Sequence, residues 1–88
     1  MKLILAIITA EAVDPVSSAL MERKYSVTHI SSVGGFLRRG QSTLVVGIDE
    51  AKLQDALTVI RSACGPFSRP ETHAATIFVL DASQFIQI

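Results

Sequence analysis

The sequence predicts an α+β domain: one antiparallel sheet of four strands, with two helices packed on one of its faces. Three observations lead there. Runs rich in β-branched and apolar residues alternate with runs of helical apolar spacing, in the order β-α-β-β-α-β. The 88 residues have room for a single core, so residues 1–88 form one domain. Close to half of the chain is apolar while the formal net charge is zero, a balance that excludes a disordered chain.

Taken in order, Lys2–Thr9 is an unbroken apolar run, the pattern of a strand covered on both faces. It is too short to span a membrane. Glu11 and Asp14 follow where a secretory leader needs small residues, so it reads as a strand. Asp14 and Pro15 then supply an N-cap and a proline at the first helical position. Val16, Ala19 and Leu20 recur at helical spacing, and Glu22, Arg23 and Lys24 make the polar end of that helix. Residues 25–33 are rich in β-branched side chains and predict the second strand. Gly34 and Gly35 break it, and Gly40 closes the loop before the third strand, Gln41–Ile48. Asp49 caps the second helix, in which Leu53, Ala56, Leu57, Ile60 and Cys64 form a one-sided stripe. Gly65 and Pro66 end it, and a polar loop runs through Thr72. A fourth strand over 73–80 follows, then a turn at Asp81, Ala82 and Ser83, and an apolar tail over 84–88. With right-handed crossovers, this order makes the ferredoxin-like βαββαβ sandwich.

Helices cover one face of such a sheet, so each strand should alternate apolar and polar residues. These strands do not. Leu3, Leu5 and Ile7 fall on one face of the first strand, and Ile4, Ala6 and Ile8 on the other. Leu44, Val46 and Ile48 oppose Val45 in the third, while Phe78 and Leu80 oppose Ile77 and Val79 in the last. A monomer leaves a large apolar patch in water, which soluble monomers rarely tolerate. Burying a few hundred Å² contributes several kcal/mol at about 25 cal/mol per Å², less the cost of association. Sheet-to-sheet oligomerisation is the expected answer; an over-hydrophobic monomer is the alternative.

Polar and special residues concentrate between Thr28 and Thr43. Gly34 and Gly35 allow a ligand to approach main-chain N–H groups closely. Phe36 offers a face on which a base can stack, and Arg38 and Arg39 can meet phosphate. From spacing alone two readings stand. One is a nucleotide site. The simpler one is a β-hairpin whose glycines turn the chain, whose Phe36 fills a gap and whose arginines are solvated.

The sequence also resembles the PII-like cyclic-di-AMP receptor proteins over nearly its whole length. The resemblance rests on the opening Met1-Lys2-Leu3-Ile4-Leu5-Ala6-Ile7 and on Gly34-Gly35-Phe36-Leu37-Arg38 with Gly40, Thr43 and Gly47. It continues in Ala75-Thr76-Ile77-Phe78-Val79-Leu80 and the tail Gln84-Phe85-Ile86-Gln87-Ile88. It implies a PII-like homotrimer of ferredoxin-like subunits that binds the dinucleotide in clefts between subunits, near the loop joining the second and third strands. The ligand-binding positions it implies are Thr28, Gly35, Phe36, Leu37, Arg38, Gln41, Gly47, Phe78 and Gln87. In that scheme Thr28 and Gln87 hydrogen-bond base or phosphate, and Phe36, Leu37 and Phe78 enclose an adenine. Backbone N–H groups from Gly35 to Leu37 meet phosphate oxygens.

Several positions depart from the family pattern. Ser26 stands where an arginine commonly meets phosphate, and Lys24 and Gln41 replace asparagines. Losing the guanidinium removes a charge-assisted contact worth roughly 1.5–3 kcal/mol. Lys24, Arg38 or Arg39 can restore the charge, though not the planar geometry. The loop over 65–72 is much shorter than the flexible one by which family members are thought to report occupancy. The implied function is therefore a shortened, non-catalytic cytoplasmic signalling protein whose candidate ligand is cyclic di-AMP and whose protein partner is unknown. The alternative is a PII-like trimer that has lost cyclic-di-AMP recognition and serves another anionic ligand or a structural interaction.

Other chemistry finds little support. An acylphosphatase of this fold needs an asparagine, and the chain has none. His29 and His73 have no carboxylate at a spacing that forces pairing, and His29 faces away from Thr28. Cys64, the single cysteine, falls on the apolar helix stripe as a buried thiol, and its solitude fits a reducing cytosol. No cofactor, metal cluster or membrane segment is expected. With zero net charge, Arg38-Arg39 is too short a basic run to predict duplex nucleic-acid binding.

Overall fold

The structure, a computed structural model, describes residues 1–30, 41–70, 73–84, 86 and 88. The elements are β1 (Lys2–Thr9), α1 (Ala10–Glu22), β2 (Val27–Ile30), β3 (Gln41–Ile48), α2 (Leu53–Cys64) and β4 (Ala75–Asp81). Single 3₁₀ turns at Glu50–Lys52 and Gly65–Phe67 flank α2. The four strands form one sheet in the order β2-β3-β1-β4, with every neighbouring pair antiparallel. This is the ferredoxin-like arrangement that the sequence predicts.

Strand parity decides where the core lies. Ile4, Ala6 and Ile8 of β1 and Leu44, Val46 and Ile48 of β3 point to one face and are buried. Against them pack Ala12, Val13, Val16 and Leu20 of α1 and Ala56, Val59, Ile60 and Cys64 of α2. The helices lie side by side and close this layer. The other face carries Leu3, Leu5, Ile7 and Val45, all half-buried, and Phe78 and Leu80, which are 51% and 46% exposed. No element of the described chain covers it.

The first helix begins four residues before the expected Asp14 cap. Strand β1 runs directly into α1, with Thr9 in extended conformation at the junction and Pro15 inside the helix. Burial overrides the local signal here: Ala12 and Val13 seal the core only if the helix starts at Ala10. Pro15 deprives the Glu11 carbonyl of its donor. Both residues are exposed, so that carbonyl lies within reach of solvent.

The close of α1 also differs. Tyr25 and Ser26 are not part of the second strand. Lys24 takes a left-handed φ of 65°, its N–H donates to Met21 O at 2.9 Å, and the Tyr25 N–H donates to Leu20 O at 3.1 Å. This pair of bonds is a Schellman closure, and it uses the Tyr25 donor that a strand ladder would need. Glycine or asparagine tolerates that backbone better than lysine does.

Smaller corrections have similar causes. Strand β4 starts at Ala75 rather than His73, because beyond Thr9 the neighbouring chain is already helical. It extends through Asp81, expected in a turn, because Asp81 pairs with Lys2 in the ladder and their side chains form an ion pair. Asp49 stands at the start of the 3₁₀ turn before α2 without a side-chain cap bond. Gly65 ends α2 in a right-handed conformation and leads through Pro66 into the 3₁₀ turn, after which the backbone becomes extended at Ser68. The end of the predicted second strand at 31–33, and Gly34, Gly35 and Gly40, lie outside the described residues.

Candidate functional site

Of the nine positions expected to bind ligand, Thr28, Gln41, Gly47 and Phe78 are described; Gly35, Phe36, Leu37, Arg38 and Gln87 lie outside the described residues. The pairing register brings the four onto one face. Thr28 lies opposite Val45, Val45 opposite Leu5, and Leu5 opposite Phe78, so these four residues form a single row across the sheet. In the next row Gly47 faces Leu3, which in turn faces Leu80. Gln41 shares the parity of Val45 and Gly47 at the far end of β3. All four therefore lie on the open apolar face, opposite the helices.

Sharing a face does not bring them into contact. Thr28 is on one edge strand and Phe78 on the other, three strand spacings apart, about 14 Å. No single base reaches both within one subunit. Gly47, with no side chain, leaves the second row low beside Leu3.

Alternation separates His29 from this face, since it pairs with Leu44 on the helix side, though it is exposed at the sheet edge. Burial pushes the Cys64 thiol above its ordinary pKa, which keeps it protonated and unreactive. It borders a small cleft of about 160 Å³ with His73, Arg61 and Ser68. A wider groove of about 390 Å³ runs between the helices past Ala19, Arg23 and Thr58. Both concavities lie away from the open sheet face and include none of the predicted positions.

One polar cluster has no sequence signature. The Arg23 guanidinium donates to Asp55 Oδ1 at 2.7 Å, and the Tyr25 hydroxyl donates to Asp55 Oδ2. That bond to a carboxylate, and secondarily burial, raise the Tyr25 phenol above its usual pKa. The cluster joins the end of α1 and the approach to β2 to the first turn of α2. Residues thirty apart follow no spacing rule. Their only trace in the sequence is an acidic residue near the start of an amphipathic helix. At the same end of the sheet, Lys2 pairs with Asp81 and lies 3.9 Å from Glu50. The Lys2 ammonium in turn holds the Asp81 carboxyl below its ordinary range.

Among the described residues no three His, Cys, Asp or Glu side chains gather as metal ligands. Among the described residues no helix is long and apolar enough to cross a membrane. Ion pairing leaves Lys24 unengaged among the described residues, two positions before Ser26.

Comparison with known proteins bears on the family and the fold. Residues 1–70 match the family model described as cyclic-di-AMP receptor. Among solved structures the chain resembles a functionally unknown protein from Pediococcus pentosaceus ATCC 25745. The identity is 27% and the TM-score 0.78, and the match covers 99% of this chain and 96% of that one. The two chains are thus of similar size.

Proposed function

The chain belongs to the cyclic-di-AMP receptor family, and from that premise we propose that it is a non-catalytic, PII-like signalling protein of the cytoplasm. It works as a homotrimer, binds cyclic di-AMP in clefts between subunits, and changes its affinity for a protein partner on binding. The observation that carries this reading is the position of Thr28 and Phe78 on one face but at opposite edges of the sheet. A pocket that uses both must take them from different subunits. The uncovered row Leu5, Val45 and Phe78 supplies the apolar surface for that contact.

In the pocket, Phe36, Leu37 and Phe78 enclose adenine, and Thr28, Gln41 and Gln87 supply hydrogen bonds. Gly47 makes room beside the sheet, while Arg38 and the N–H groups from Gly35 to Leu37 meet phosphate. Lys24 offsets part of the charge lost at Ser26.

Calorimetric titration of nucleotide-free protein with cyclic di-AMP, beside ATP, ADP and cyclic di-GMP, tests the proposal. Saturation near one ligand per subunit, tightest for cyclic di-AMP, is the expected result. Phe36→Ala and Gln87→Ala each abolish binding and leave the trimer intact; unchanged affinity in both removes this pocket. Ser26 favours one second reading, a trimer whose site takes another anionic ligand. Folded, trimeric protein that ignores cyclic di-AMP but binds one of the other nucleotides selects it.

A further inference from the structure

Strand β2 is the weakest-held part of the described sheet. It spans four residues, pairs only with β3, and three of its four residues are exposed. Nevertheless it carries Thr28. What fixes its approach is Tyr25, half-buried against the core, whose hydroxyl reaches across to Asp55 on α2. Asp55 simultaneously holds Arg23 at the end of α1. Between those two anchors lies Lys24 in its left-handed turn. One carboxylate thus pins both sides of the one left-handed non-glycine residue among the described residues.

We propose that Asp55, by holding Arg23 and Tyr25 together, tethers the start of β2 to the helix layer and so sets the position of Thr28 in the ligand site. Tyr25 and Asp55 are positioning residues. Thr28 is three residues beyond Tyr25, about 10 Å along an extended chain, and its side chain faces the opposite side of the sheet. The phenol therefore acts on the site through the backbone. This inference rests on the reading of Thr28 as a ligand contact.

The test uses the assembled full chain and Tyr25→Phe, which keeps the ring and deletes only the hydroxyl. Amide hydrogen exchange at Val27–Ile30 should rise roughly threefold to tenfold, with β1 unchanged. Cyclic di-AMP affinity should fall severalfold in Tyr25→Phe, yet fall no further when the same change is made on Thr28→Ala. Asp55→Asn should reproduce both effects. Unchanged exchange at β2 overturns the tether. An equal affinity loss with and without Thr28 overturns its link to the site. If wild-type protein binds no cyclic di-AMP, the ligand reading and its dependence on the tether both fail, while the exchange result alone decides the tether.

Discussion

The two faces of this sheet are made from the same strands and nearly the same residue types, yet they meet different surroundings. On one, Ile4, Ala6, Ile8, Leu44 and Val46 are sealed beneath the helices. On the other, Leu3, Leu5, Ile7 and Val45 remain half-buried beside an exposed Phe78 and Leu80. Hydrophobicity marks both faces as buried; only the element count shows that the chain covers one of them. The second face has no cover from the described chain, and the candidate ligand positions Thr28, Gln41, Gly47 and Phe78 all lie on it.

Substitutions that treat the faces alike should separate them. Ile4→Ala opens a cavity in the sealed layer and should lower unfolding free energy by about 3 kcal/mol, read by urea denaturation at fixed protein concentration. Leu5→Glu, one residue along, should leave the circular dichroism of the subunit nearly intact while sedimentation shifts from trimer to monomer. A trimer that tolerates glutamate there would show that the open face is not the contact between subunits. The smallest effect on stability should come from Lys24→Gly, at the exposed turn before β2. Relief of the left-handed backbone should raise stability by about 0.5–1 kcal/mol without changing assembly.

Much of this was legible in the residues. Apolar residues at both parities of β1, β3 and β4 mark two apolar faces, and the stripe through Ala56, Ile60 and Cys64 identifies the buried side of α2. Boundaries fared worse where two local signals competed. Asp14 and Pro15 form a sound helix start, but burial of Ala12 and Val13 moved it forward. Residue 25 falls at the start of a run rich in β-branched residues that predicts a strand, yet its N–H closes α1. The face shared by the four described site positions follows from register, which depends on how the strands pair and cannot be read from one strand alone. The Arg23–Asp55–Tyr25 cluster was invisible because it joins segments that only the packed helices bring together.

The central place of β1 has a kinetic consequence. It is made before either of its neighbours, and its final pairing joins Lys2 to Asp81, 79 residues away. During synthesis this apolar strand must wait until β4 has emerged, and the local contacts of α1 and α2 cannot complete the sheet for it. Folding should therefore be slow for so small a domain, with β1 as the segment most open to chaperones or to the β1 strands of other nascent chains in the interval.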